Sequence, residues 1–335
     1  MTNPRISIIL PIDNVEENDL SIPISSVNNQ IGIDHHDVEL LLVDNGAYKL
    51  ERPEVFDLFR QVHLRYLETP RVMKRGSAIQ YGIDKARGGY VLVIQPNHQL
   101  YQAATLQGYF TMSDAHPEAT AINGLVTTQY FDAQRVAHYQ VGRTSQNIAG
   151  RWIRREFLQQ HQIRFEDEYG AYAQEYVSRL VSHLAPSAID LDAEGVMVFT
   201  SRAMPNEDTL QAPINATWLT MMAGYFARLQ QADKPTYMTE FARFVIRFYT
   251  QLKSVPVADR ANLKHLLATL VGANAAAWAP ALAYVQQVRT SDHSPAAPWN
   301  AEGAQFDHYL AGLDRYLSDN GLRREQAPSQ TNVIS

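Results

Sequence analysis

One short stretch limits the fold more than any other. Tyr90-Val91-Leu92-Val93-Ile94 is an apolar run that ends abruptly in Gln95-Pro96-Asn97-His98. Val and Ile favour strand, and a run with no polar alternation fits a strand covered on both faces. Gly88-Gly89 separates it from residues 79–87, which read as helix. The local order is helix, tight turn, buried strand, polar tip. In open parallel α/β sheets, ligands bind just past the carboxyl ends of strands. The tip from Gln95 to His98 is therefore where chemistry is to be sought, although an ordinary strand-to-loop junction has the same pattern.

The preceding residues repeat that order. Residues 6–10 form an apolar strand closed by Pro11. Leu20, Ile24 and Val27 have helical spacing, and residues 38–43 make a second strand that ends in the turn signal Asp44-Asn45-Gly46. Val55, Leu58, Phe59 and Val62 predict a second helix, residues 64–67 a short strand, and residues 76–87 a third helix. Strands alternating with helices predict a mostly parallel α/β sheet, Rossmann-like, with helices on both faces. No G-x-G-x-x-G follows the first strand and no G-x-x-x-x-G-K-[ST] loop occurs, which excludes the usual dinucleotide and phosphate-loop devices. Beyond the tip, the pattern predicts helix over 103–113, strand over 119–130, helix over 144–160 and an acidic loop over 164–168. Helix over 171–184 and a late strand over 195–200 follow.

From about Asn215 the pattern changes. Trp218, Met221, Met222, Tyr225, Phe226 and Leu229 recur at helical spacing, as do two later sets around Phe241 and Phe306. Stripes packing on each other explain this better than a cofactor box or a membrane-surface helix, whose polar face would be rich in Lys and Arg. The expected organisation is an α/β domain over 1–210, an all-helical region over 211–322 and a polar, disordered tail over 323–335.

Composition narrows the partners. A net charge of -6 argues against nucleic acid, which requires a clustered basic face. The chain has no cysteine, hence no disulfide, thiolate nucleophile or Cys-based zinc site. The first apolar run is too short for a secretory h-region, and no stretch approaches membrane-span length. The expectation is a cytoplasmic protein, with peripheral attachment at the inner membrane face as a variant.

Five segments resemble the inverting family-two glycosyltransferases, which have the GT-A nucleotide-sugar-binding fold. Residues 6–20 look like the family's opening strand and its "P-x-x-N" turn, with Pro11 and Asn14 in place. Residues 25–30 look like its "Ser-x-x-x-Gln" helix end, and residues 38–47 like its "Val-Asp-Asp-Gly-Ser" strand end. Residues 76–100, beginning at Gly76, resemble its "Gly…Gly-x-Tyr-x-x-x-x-Asp-x-Asp-Asp" block. Residues 151–179 resemble its acceptor segment. The resemblance implies that Pro11, Asn14, Asp44, Asn45, Gly76, Gln95, Asn97 and His98 line a nucleotide-sugar pocket, a UDP-sugar being the expected donor.

The departures are as informative. The family's Asp-x-Asp metal motif falls on Gln95-Pro96-Asn97, so both carboxylates are replaced by amides. Mg²⁺ and Mn²⁺ prefer carboxylate oxygen, so a metal site of the usual kind is not expected and no cofactor is assigned. The second Asp of the nucleotide-contacting pair is Asn45, and the usual Arg-Asn of the third helix reads Gln80-Tyr81. The family's "Glu-Asp" pair reads Gln174-Glu175, which leaves Glu175 as the implied catalytic base. A helix-surface charge paired with Arg179 is an equal reading of Glu175. Asp167 is the rival base, read first as a solvated loop charge. Basic residues can stabilise a departing diphosphate without metal; the candidates are Lys74, Arg75, His98, Arg151, Arg154 and Arg155, with His98 first.

Two functions are thus expected. One is inverting transfer from a nucleotide sugar to a glycan or protein acceptor. The other is a non-catalytic GT-A-like binding module, or a partner subunit of an active glycosyltransferase. The C-terminal helices could support a homo-oligomer or bind such a partner.

Overall fold

The computed structural model describes residues 3–12, 15, 17–46, 53–143, 148–203, 214–295 and 297–322. Asn14 and the tail from 323 lie outside the described residues. The chain divides into two compact units, Met1–Ala212 and Pro213–Ser335.

The first unit is an α/β fold around one mixed sheet. Its strands are β1 (Ile6–Ile12), β2 (Val38–Asp44), β3 (His63–Glu68), β4 (Tyr90–Val93), β5 (His98–Leu100), β6 (Ala121–Phe131), β7 (Ala137–Gly142), β8 (Arg151–Arg154) and β9 (Ala188–Ala203). Its helices are α1 (Glu17–Asn28), α2 (Arg75–Lys85), α3 (Thr105–Ala115), α4 (Arg155–Gln160) and α5 (Ala173–Leu184). The sheet order is β3-β2-β1-β4-β8-β6-β9-β5, and β7 pairs with β6 as a hairpin arm. β1 pairs in parallel with β2 and β4, and β2 in parallel with β3. β1 and β2 are buried at every position, which is why both read as nearly continuous apolar runs; their polar residues Ser7 and Glu39 bond to each other at 2.5 Å. β1 continues past Pro11 to Ile12, with Pro11 opposite Val43. A proline is tolerated there because it sits one residue from the strand's end.

Three expectations are corrected. Residues 53–58 form a short 3-10 helix rather than a full helix, after which the chain enters β3. Residues 151–154, expected within a helix, are strand β8, which pairs antiparallel with both β4 and β6; only 155–160 are helical. Trp152 explains the misreading. Its ring stacks on Tyr109 at 4.7 Å and meets Phe110 edge-on at 5.1 Å, inside the core. Each such pair contributes about 0.5–1.5 kcal/mol beyond area burial. Tertiary packing therefore overrides the helical spacing of Ile148, Trp152, Ile153 and Phe157. The third correction is the acidic loop, where a 3-10 turn begins at Asp167.

The second unit is helical: α6 (Ala216–Ala232), α7 (Lys234–Leu252), α8 (Val257–Ala273), α9 (Trp278–Ser291), α10 (Pro298–Ala301) and α11 (Gly303–Asp319). Asn215 caps α6 by accepting from the Trp218 amide at 2.9 Å, and Asp233 caps α7 by accepting from Thr236 at 3.2 Å. The apolar stripes pack on each other. Phe226 meets Tyr237, Phe241 and Phe244 edge-on. Among the described residues, no single helix is long and apolar enough to cross a membrane.

Candidate functional site

Parallel pairing brings the carboxyl ends of β2, β1 and β4 side by side. Ile12 lies opposite Asp44, and the Ile94 amide bonds to the Ile9 carbonyl. Asn45 continues the ladder, donating to the Ile12 carbonyl at 3.2 Å. Pro11, Asp44, Asn45 and Gln95 therefore share one edge of the sheet.

Asp44 is buried and organises its turn. One carboxylate oxygen accepts from the Gly46 amide at 2.7 Å and the other from the Tyr66 hydroxyl. Gly46 has φ +83°, and a Cβ there would lie 2.8 Å from the Arg71 carbonyl oxygen, so the turn requires glycine. The Asn45 carbonyl accepts from the Met73 amide at 2.7 Å, drawing the start of α2 against this turn. Tyr66 was not among the expected site residues. The signal was parity: Tyr66 faces Leu42, two residues before Asp44, on the same strand pair.

The tip itself is a turn closed by the His98 amide on the Gln95 carbonyl at 2.8 Å, with Pro96 second in the turn, where its fixed φ fits. Gln95 is a junction. Its Oε1 accepts from the Arg75 guanidinium at 3.1 Å, and its Nε2 donates to Gln174 Oε1 at 3.3 Å. The β4 tip, the first residue of α2 and the first turn of α5 are thereby tied together. Asn97 is exposed and ties the tip to β9, donating from Nδ2 to the Phe199 carbonyl at 2.8 Å.

Gly76 lies where α2 meets the 167–172 turn. A Cβ on it would come within 3.1 Å of Asp167 Oδ1. Asp167 accepts from the Ser77 amide at 2.9 Å and from its hydroxyl at 2.5 Å. It is thus an N-terminal cap supplied to α2 from another element, not a solvated loop charge. Lys74, the residue before α2, makes no side-chain cap of its own.

Glu175 lies one residue past Gln174, with only 6% of its surface exposed. Its Oε1 accepts from Arg179 Nε at 2.9 Å and pairs with Nη2 at 2.8 Å. The partner expected one turn away is the right one, but the pair is buried rather than solvated. Of the basic candidates, Arg75 donates to a tip side chain, Gln95. Arg154 lies opposite Tyr90, at the start of β4, and Arg155 bonds to the Gly88 carbonyl at 3.0 Å, so both sit at the far end of that strand. Arg151 turns under α5, donating to Ser182 Oγ at 2.8 Å; burial pulls its pKa down to about 10.

His98 is 2% exposed, and its Nδ1 is buried without a hydrogen-bond partner among the described residues. Burial, and then the nearby Arg75 charge, push its pKa down to about 3. His98 is therefore a neutral imidazole at any working pH. The sign follows: the unfolded chain takes a proton near the ordinary value of 6.5, and the folded chain does not until about 3. This contribution is intact above about pH 6.5 and is lost as pH falls toward 3, by about 1.4 kcal/mol per pH unit. Denaturant midpoints at pH 7 and pH 5 should fall less in His98→Gln than in the unaltered chain. Equal falls would show that His98 is not the group responsible.

The tip side chains Gln95 and Asn97 do not fit a divalent cation. Gln95 offers one neutral oxygen, already facing a guanidinium, and Asn97 turns its amide nitrogen to a backbone carbonyl. Among the described residues, no group of three or more His, Asp or Glu could hold a metal.

A mixed sheet with this strand order, in which the carboxyl ends of β2, β1 and β4 share one edge, is the architecture of a GT-A glycosyltransferase domain. Residues 7–173 match the model of the family described as Glycosyl transferase family 2. The fold is shared with solved structures of S. aureus TarS 1-349. The complex with UDP aligns with a TM-score of 0.65 at 13% identity, covering 94% of this chain and 92% of that one. The complex with UDP-GlcNAc gives 0.66 at 14% identity with the same coverage. No curated protein matches the sequence.

Proposed function

We propose that the first unit binds a UDP-sugar at the carboxyl ends of β2, β1 and β4. It transfers the sugar with inversion to a hydroxyl of a glycan or protein, without a divalent cation. The observation that carries this reading is Arg75. It stands at the N-terminus of α2 and reaches the tip residue that replaces the first metal-binding aspartate. A guanidinium there, reinforced by the positive end of the helix dipole, offsets the charge of a leaving diphosphate. The acceptor oxygen attacks the anomeric carbon on the face opposite the nucleotide. The bond to the diphosphate oxygen breaks, its electron pair stays with UDP, and the hydroxyl proton passes to Glu175. Asp44 and Asn45 border the nucleotide, with Pro11 and Gly76 allowing close approach of backbone. The UDP and UDP-GlcNAc complexes of TarS make uridine the first base to try.

A second reading is a binding module without turnover. The buried Glu175–Arg179 pair favours it, because a base held in an ion pair must give up that pairing to take a proton. Thermal unfolding with UDP and UDP-sugars, with and without Mn²⁺, tests the shared part of both readings. Binding raises stability by about 2.7 kcal/mol at a ligand concentration one hundred times Kd. The expected result is a shift with UDP that Mn²⁺ and EDTA leave unchanged. No shift with any nucleotide would remove the donor site.

A further inference from the structure

A second hollow in the first unit lies between α1 and the stretch that leads from β5 into α3. Its volume is about 400 Å³, at the small end of ligand pockets, and no charged residue lines it. Its walls carry polar groups with capacity to spare. Among the described residues, the side-chain hydroxyl of Ser25 makes no hydrogen bond. The same holds for the Tyr101 hydroxyl and the Gln102 side-chain amide. Asn29 uses its oxygen toward Asn28 at 3.1 Å, leaving its amide nitrogen available. Gln99 uses its nitrogen toward the Met197 sulfur at 3.7 Å, leaving its oxygen available.

The frame behind these groups is fixed. Gln30 is 2% exposed and bridges the two walls, donating to the Ser26 carbonyl at 2.9 Å and the Gln102 carbonyl at 2.8 Å. Its oxygen accepts from the Leu106 amide at 2.8 Å. Ser26 Oγ accepts from the Leu100 amide at 3.1 Å. A hollow held this way is formed before any ligand arrives, which lowers the cost of binding.

We infer that this hollow is a binding site for a neutral saccharide, separate from the nucleotide cleft. Sugar hydroxyls both donate and accept, and they match a lining of hydroxyls and amides that do the same. Tyr101 supplies an aromatic ring for the C–H face of a sugar. The lack of charge gives phosphorylated and carboxylated ligands no counter-ion here. The inference does not depend on the domain binding UDP.

Saturation-transfer NMR on the full chain tests it, using the methyl glycosides of glucose, galactose, mannose and N-acetylglucosamine. At least one should give a signal that survives excess UDP. Gln102→Ala should weaken it about fivefold, the cost of one neutral hydrogen bond. Tyr101→Ala should abolish it, while the thermal midpoints of both variants show that they fold. Three results would each overturn the inference: no signal from any glycoside, a signal indifferent to both substitutions, or glucose 6-phosphate binding as well as the neutral sugars.

Discussion

Arg75→Ala should lower sugar transfer from a UDP-sugar by about 10²–10³-fold, the range seen when one fixed donor to a developing anion is removed. A departing diphosphate needs positive charge in a site that excludes water, and the tip side chains Gln95 and Asn97 are neutral amides. Arg75 is exposed and lies at a helix start, so its loss should change stability by no more than about 0.5 kcal/mol. UDP itself should bind roughly tenfold more weakly or worse, because a charge-assisted hydrogen bond contributes about 1.5–3 kcal/mol. Arg75→Lys keeps the charge but loses the planar fork that meets Gln95, so an intermediate rate is expected. Initial rates and UDP titrations on the three proteins decide it. If Arg75→Ala transfers sugar at the unaltered rate, the diphosphate is neutralised elsewhere.

Much of this edge was legible in the residues. The runs 6–10, 38–43 and 90–94 are almost wholly apolar because parallel strands buried on both faces have no solvent side, and the structure pairs all three in parallel. The turn at Asp44-Asn45-Gly46 was legible because glycine and Asx residues punctuate a strand end. What escaped depends on contacts distant in sequence. β8 carries an Arg-Trp-Ile-Arg pattern that gains its strand geometry only between β4 and β6. β5 is three residues long, too short for any period to show, and exists because β9 pairs with it. At the site, the Asp167 cap of Ser77 links residues ninety positions apart, and no local motif marks it. The Arg75–Gln95–Gln174 chain likewise joins three separate elements. Sequence could nominate Arg75 but could not choose it over Arg154 and Arg155, which the antiparallel register carries to the other end of β4.

Glu175→Gln should separate a catalytic carboxylate from a structural one. The substitution leaves the Arg179 guanidinium, itself 8% exposed, beside a neutral amide. Breaking a buried ion pair from one side costs about 3–5 kcal/mol, so a marked drop in denaturation midpoint is expected. Loss of rate in this variant alone would be ambiguous, since a loosened α5 also disturbs Gln174 and through it the β4 tip. The double variant Glu175→Gln, Arg179→Gln removes both charges and should recover most of the lost stability. If Glu175 takes the acceptor's proton, the double variant stays slow by about 10²–10⁴-fold while UDP still binds. If transfer returns along with stability, the carboxylate serves only to hold α5 in place. Asp167 would then be tested next, against the requirement that it keep its cap on α2. Stability and rate measured on the same three proteins give the two roles opposite signatures, because a repaired helix restores the fold but cannot restore a missing base.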